Sequence, residues 1–130
     1  MAKEPSLTYV IDDDDSVRRA FGRLLRSAGL DAETFSSAEE FLSSAREDKN
    51  ACIIIDIRMP GLTGFDLQER LTSEGIGIPV IVISAHDDAE TREHARELGA
   101  IGFFRKPVDD QALLDAIWWA IWGTKRNKEQ

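Results

Sequence analysis

Cys52-Ile53-Ile54-Ile55, running directly into Asp56, is apolar at every position until it stops on a carboxylate. A strand with one wet face alternates apolar and polar residues. A strand apolar throughout is covered on both faces, as in a parallel sheet sandwiched by helices. The same grammar recurs on either side of this stretch. Leu7-Thr8-Tyr9-Val10-Ile11 runs into Asp12-Asp13-Asp14-Asp15, and Val80-Ile81-Val82-Ile83 into Ser84. A weaker run, Gly102-Phe103-Phe104, leads through Arg105 to Lys106. If these runs lie side by side, carboxylates, a hydroxyl and an ammonium meet at one edge.

Helix signals fill the gaps. Val17, Ala20, Phe21, Leu24, Leu25 and Ala28 recur at helical spacing, with Gly29 placed to end the helix. Asp14 or Asp15 is suited to cap its start. Leu30 to Phe35 is a short, acidic second strand. Ser36 and Ser37 each precede a glutamate by three residues, the capping-box spacing, ahead of Ala38, Phe41, Leu42 and Ala45. Met59-Pro60-Gly61-Leu62-Thr63-Gly64 reads as a loop. Phe65, Leu67 and Leu71 then predict a third helix, closed by Gly75 and Gly77.

The fourth helix, about Asp88 to Leu98, has only Ala89, Ala95 and Leu98 as an apolar stripe amid many charges. It is therefore expected to be the least firmly docked and the easiest to shift. Asp109 is placed to cap the last helix, whose core face is Leu113, Ile117, Ala120 and Ile121. On this face Trp118 flanks the core and is expected to pack there, Trp122 lies further round, and Trp119 points away. Trp119 is the candidate interface residue, for dimerisation or for an output domain.

Five β/α units with right-handed crossovers give a three-layer, doubly wound (βα)5 α/β fold. Ligands of such sheets bind beyond the carboxyl ends of the strands, which places Asp12, Asp13, Asp56, Ser84 and Lys106 on one rim. The chain's 130 residues suit one domain, with 42% apolar residues to build its core. A net charge of −8 argues against direct nucleic-acid binding by this segment. Cys52, the one cysteine, reads as a small core residue, consistent with a reducing cytoplasm. No run approaches the roughly 20 apolar residues of a membrane span, and the N-terminus has no apolar leader.

The rim has its own chemistry. Two carboxylates about 4 Å apart repel by about 4 kcal/mol at an effective dielectric near 20, so they take up protons or hold a cation. Oxygen ligands from carboxylates, one carbonyl and waters suit Mg²⁺, and Mn²⁺ could substitute. An Asp carboxylate can also attack phosphorus and form an aspartyl-phosphate. A metal, a lysine and a hydroxyl would then neutralise the phosphoryl oxygens.

These stretches, taken in order, resemble the receiver domain of two-component response regulators. The matching segments are Val10-Ile11-Asp12-Asp13-Asp14, Ile55-Asp56-Ile57-Arg58-Met59-Pro60-Gly61, Val82-Ile83-Ser84-Ala85 and Phe103-Phe104-Arg105-Lys106-Pro107. Arg58-Met59-Pro60 and Ser84-Ala85-His86 make the chain most similar to FixJ-type receivers, which usually precede a DNA-binding domain. The resemblance implies a flavodoxin-like fold with strand order 2-1-3-4-5. The resemblance covers about Leu7 to Ile121, so residues 1–123 are expected to form the receiver, and the tail, 124–130, is polar and is expected to start a linker. Asp56 would accept a phosphoryl group from a sensor histidine kinase or phosphotransfer protein. Asp12, Asp13, Asp56 and the backbone carbonyl of Arg58 would hold Mg²⁺. Ser84 and Lys106 would contact the phosphoryl oxygens, and a cis Lys106-Pro107 bond would help aim the lysine. Ser84 and Phe103 would form the switch, changing the face made by helix four, strand five and helix five to control dimerisation or a transcriptional output. Phe103 departs from the commoner tyrosine and lacks its hydroxyl. Arg58 and His86, each two residues past a site residue, are candidates for tuning phosphate lifetime.

Such a protein is a phosphoacceptor that promotes its own phosphorylation and dephosphorylation, not a metabolic enzyme. One alternative is a haloacid-dehalogenase-like phosphohydrolase, in which Asp12 is the nucleophile and Asp14 the general acid. It leaves Asp56 without a role and lacks acids on a strand after the lysine. A second is an interaction module with the same fold that is never phosphorylated, which leaves the complete rim unexplained.

Overall fold

The computed structural model describes residues 6–123 apart from 45 and 47. Five strands and five helices alternate: β1 (Leu7–Ile11), α1 (Asp15–Ser27), β2 (Ala32–Phe35), α2 (Ala38–Ser43), β3 (Ala51–Asp56), α3 (Gly64–Ser73), β4 (Val80–Ser84), α4 (Ala89–Glu97), β5 (Gly102–Arg105) and α5 (Asp110–Trp118). A π-helical turn, Trp119–Gly123, continues α5. All strand pairs are parallel and the order is β2-β1-β3-β4-β5, as the resemblance implied.

β3 is buried at all six positions because it lies in the middle of the sheet with helices on both faces. Strand side chains alternate between faces, so the sheet divides the core in two. Tyr9, Ile11, Ile53, Ile55 and Val82 face α2, α3 and α4, meeting Phe41, Leu67, Leu71 and Ala95. Val10, Cys52, Ile54, Ile81 and Ile83 face α1 and α5, meeting Leu25, Leu113 and Ile117.

The helix starts follow capping chemistry. Asp14 accepts from the amides of Ser16 and Val17, Ser37 from Glu40, Asp88 from Thr91 and Asp109 from Ala112. Thr63 and Asp66 form a reciprocal capping box at α3. The Glu40 side chain instead reaches the amide of Ser36, one residue before the cap.

Several expected core positions differ. Ala20, Ala28 and Ala89 are exposed, whereas Gly22 and Gln68 are buried. The contact stripe of α1 is narrower than its apolar stripe, so the small alanines at the edge stay wet. Ala45 and the tail from 124 lie outside the described residues. Trp118 is also corrected: it is 37% exposed, and Trp122 packs against the core instead. Trp118 precedes the π-helical turn and lies at the edge of the stripe that buries Leu113 and Ile117, whereas the i→i+5 bonding of that turn changes the phase of Trp122. Trp119 is 56% exposed, as its phase predicted. In α4, Ala95 is the one buried residue, so this helix is indeed lightly docked.

Candidate functional site: an acidic rim with a bridging lysine

β1 and β3 are neighbours, so their carboxyl ends deliver Asp12 and Asp56 to adjacent positions. Carboxylate oxygens of Asp12, Asp13 and Asp56 all lie within 4.8 Å of one another. Asp12 is fully buried and heavily bonded. Its Oδ1 accepts from the amide of Asp14 at 2.9 Å, and its carbonyl from Arg18 Nη1 at 2.6 Å. Asp13 is exposed, and Asp56 is 7% exposed.

Lys106 enters from the end of β5, beyond β4. Its amide donates to the carbonyl of Ser84 at 2.8 Å, which anchors the backbone that carries it. Its Nζ donates to Asp12 Oδ2 at 2.9 Å and to Asp56 Oδ2 at 3.2 Å. The Lys106–Pro107 peptide bond is cis, as the resemblance implied. Burial alone would lower the Lys106 pKa, but hydrogen bonding and charge from Asp12, and then Asp56, outweigh it and hold the pKa above its ordinary value. Asp56 is raised, first by burial and then by the Asp12 charge, against the opposing pull of Lys106 and the Arg58 amide. The rim is thus a poor place for uncompensated negative charge.

Ser84 is buried, and its Oγ accepts from the amide of His86 at 3.0 Å. This bond ties the Ser84 hydroxyl to the β4–α4 loop. The Arg58 amide lies 3.4 Å from Asp56 Oδ1, while the side chains of Arg58 and His86 are exposed. Asp88 is held below the usual carboxylate range, first by hydrogen bonds from Thr91 and to a smaller degree by the charges of His86 and Arg58. Phe103 is half-buried, paired in register with Val82 on the sheet face where Ser84 follows two residues later. Trp119 opens the π-helical turn that continues α5 and is not part of the rim.

Two contributors to the site carry no sequence signal of their own. Arg18 is one charged residue among several on α1, yet it bonds the carbonyl of Asp12. Gly64 looks like an ordinary loop glycine. A Cβ there would lie 2.6 Å from the carbonyl oxygen of Asp56, so only glycine lets α3 start this close to β3.

A doubly wound sheet whose carboxyl rim gathers three acids, a serine and a lysine is the arrangement of a signalling receiver, and the relatives the chain matches are regulators rather than metabolic enzymes. The chain belongs to the response regulator receiver domain family, which matches residues 8–118. It is 39% identical over 129 residues to Nodulation protein W of Bradyrhizobium diazoefficiens, covering 99% of this chain and 56% of that protein. It is 40% identical over 109 residues to the transcriptional regulatory protein FixJ of Azorhizobium caulinodans, covering 84% and 52%. The solved structure of the response regulator StyR superposes with a TM-score of 0.86 at 42% identity, over 97% of this chain and 64% of that one. The chain thus spans about half the length of the curated relatives it matches.

The haloacid-dehalogenase reading is not favoured. Asp14, the acid it requires, uses its Oδ1 to accept from the amides of Ser16 and Val17. Receiver domains bind Mg²⁺ at an acidic pocket, and the clustered all-oxygen donors of Asp12, Asp13 and Asp56 suit that ion. No helix among the described residues is long and apolar enough to cross a membrane.

Proposed function

We propose that Asp56 is the phosphoacceptor of a two-component system, taking a phosphoryl group from a histidine of a sensor kinase or phosphotransfer protein. The observation that supports this most is Lys106 bridging Asp12 and Asp56 beside Asp13. A carboxylate oxygen of Asp56 attacks phosphorus, the P–N bond of the phosphohistidine breaks, and the imidazole leaves with its electron pair. Asp12, Asp13, Asp56 and the carbonyl of Arg58 are the residues that would hold Mg²⁺ (or Mn²⁺). When bound, the ion would offset charge on the phosphoryl oxygens.

Lys106 already lies on Asp56 and stays with the incoming group as a second cation. Ser84 turns its hydroxyl toward a phosphoryl oxygen and brings the β4–α4 loop with it, because its Oγ is bonded to the His86 amide. Phe103 then rotates inward, and the face formed by α4, β5 and α5 changes. The phosphoryl group biases a pre-existing equilibrium between two states.

Labelling with a small phosphodonor in Mg²⁺ tests this reading. Wild type is expected to become labelled and Asp56→Asn not to; equal labelling of both would overturn it. His86 and Arg58 flank the path of the hydrolytic water, so His86→Ala should change the half-life of the phosphoprotein, and an unchanged half-life refutes that role. Trp119 contributes to phosphorylation-dependent self-association or to contact with an output domain. Self-association undiminished in Trp119→Ala would count against the first. Residues 1–123 act as the receiver and 124–130 begin a linker in a cytoplasmic, transcriptional regulator whose DNA contacts lie outside this segment.

A further inference from the structure

Phe103 is half-buried against the core and has no hydroxyl with which to anchor the exposed side of its ring. Its ring instead lies under Arg92, whose guanidinium carbon is 4.8 Å from the ring centroid. The two line a cleft of about 350 Å³ between α4 and β5. The same guanidinium pairs with Asp87 Oδ2 at 3.3 Å. Asp87 belongs to the short β4–α4 loop, directly after His86, whose amide donates to Ser84 Oγ. One cation therefore joins the loop that holds Ser84 to the ring on β5. Arg96, the other arginine beside the cleft, is paired with Glu93. α4 buries only Ala95 and is otherwise held by Gln68, which donates to the Ala95 carbonyl, and by Phe65 edge-on against His94, neither contact involving Arg92 or Asp87.

We propose that Arg92 is a positioning residue that latches Phe103 in this half-buried setting, under the guanidinium, in the unphosphorylated protein. Drawing Ser84 toward the phosphoryl group shifts Asp87 and releases the latch. The inference rests on the reading of Ser84 and Phe103 as the switch pair. A cation is attracted to the face of an aromatic ring, and a ring that turns inward gives up that contact. Arg92 thus favours one state over the other, which is what shifting an equilibrium requires. At a partly exposed position the contact corresponds to a factor of about two to five in population. The rate of a reaction that proceeds through a rarely populated state scales with that population.

The test is a double-mutant cycle on Mg²⁺-dependent labelling by a small phosphodonor, with the Phe103 ring resonances followed by NMR before donor is added. Arg92→Ala is expected to speed labelling about two- to fivefold and to move the ring resonances toward their positions in the phosphorylated protein. Arg92→Lys, which keeps a cation over the ring, should stay near wild type. In a Phe103→Leu background Arg92→Ala should leave the rate unchanged. Unaltered rate and resonances in Arg92→Ala overturn the latch, and so does an equal acceleration in the Phe103→Leu background. Failure of the underlying reading looks different: wild type itself would not label, or would label without Asp56.

Discussion

Gly64→Ala probes the joint on which the site depends. In the native backbone an added Cβ would lie 2.6 Å from the Asp56 carbonyl oxygen, 2.8 Å from Ile57 Cα and 3.1 Å from the Asp56 carbonyl carbon. All three are backbone atoms, so no side chain can swing away. Reaching an ordinary contact of 3.4 Å requires the first separation to open by 0.8 Å. α3 must then move away from β3 or the end of β3 must bend, and the Gly64 amide bond to the Ile57 carbonyl, now 2.9 Å, is strained. Overpacking of this kind costs about 1–3 kcal/mol, and immovable backbone neighbours put this site at the upper end. Better helix propensity of alanine returns under about 1 kcal/mol. The net loss is about 2 kcal/mol, or a fall in Tm of about 8 °C for a domain this size. Displacing Asp56 by a few tenths of an ångström should also slow phosphodonor labelling by about tenfold.

Gly77→Ala is the control, because nothing lies within 4 Å of its Cβ position and its φ is not positive. It should be neutral or stabilising by about 0.5 kcal/mol. Urea unfolding of both variants, followed by tryptophan fluorescence, gives the comparison. Equal stability of the two variants would refute the close-approach reasoning.

Other outcomes follow from the same geometry. Without divalent cations, Asp56→Asn should raise Tm at neutral pH. The folded-state pKa of Asp56 lies above its ordinary 3.8, so the ionised form costs stability above that folded value. The advantage of the variant should shrink as pH falls through the folded pKa toward 3.8, and a gain that grew on acidification would contradict it. Cys52 is buried, with its thiol pushed up to about 12, so a thiol reagent at pH 8 should react only after unfolding. Fast stoichiometric reaction of the native protein would exclude that burial. Gln68→Ala removes the buried donor to the Ala95 carbonyl, 3.1 Å away, and should cost about 1 kcal/mol while speeding amide exchange in α4. Exchange unchanged in α4 would show that this bond does not hold the helix.

The sequence made the central strands legible because burial on both faces leaves one pattern, an unbroken apolar run that ends where the rim begins. Asp12, Asp56, Ser84 and Lys106 were readable for the same reason: each stands where such a run stops. The helix faces were harder. Periodicity marks a stripe but not how much of it the sheet covers, so Ala20, Ala28 and Ala89 were assigned to a core that never reaches them. Gln68 was invisible because a buried amide depends on a partner 27 residues away, the carbonyl of Ala95. Trp118, just before the π-helical turn, is exposed because the stripe buried by α5 is narrower than its apolar one, and Trp122 reaches the core because a constant 100° per residue does not anticipate that turn. Arg18 and Gly64 support Asp12 and Asp56 through backbone contacts, which no pattern of side-chain types encodes.

The most direct measurement is the position of the phosphoryl group after Mg²⁺-dependent reaction with a small phosphodonor, mapped by mass spectrometry after trapping the acyl phosphate. The expected result is one phosphoryl group, on Asp56, and none anywhere in Asp56→Asn. A phosphoryl group on Asp12, or undiminished incorporation in Asp56→Asn, would contradict it.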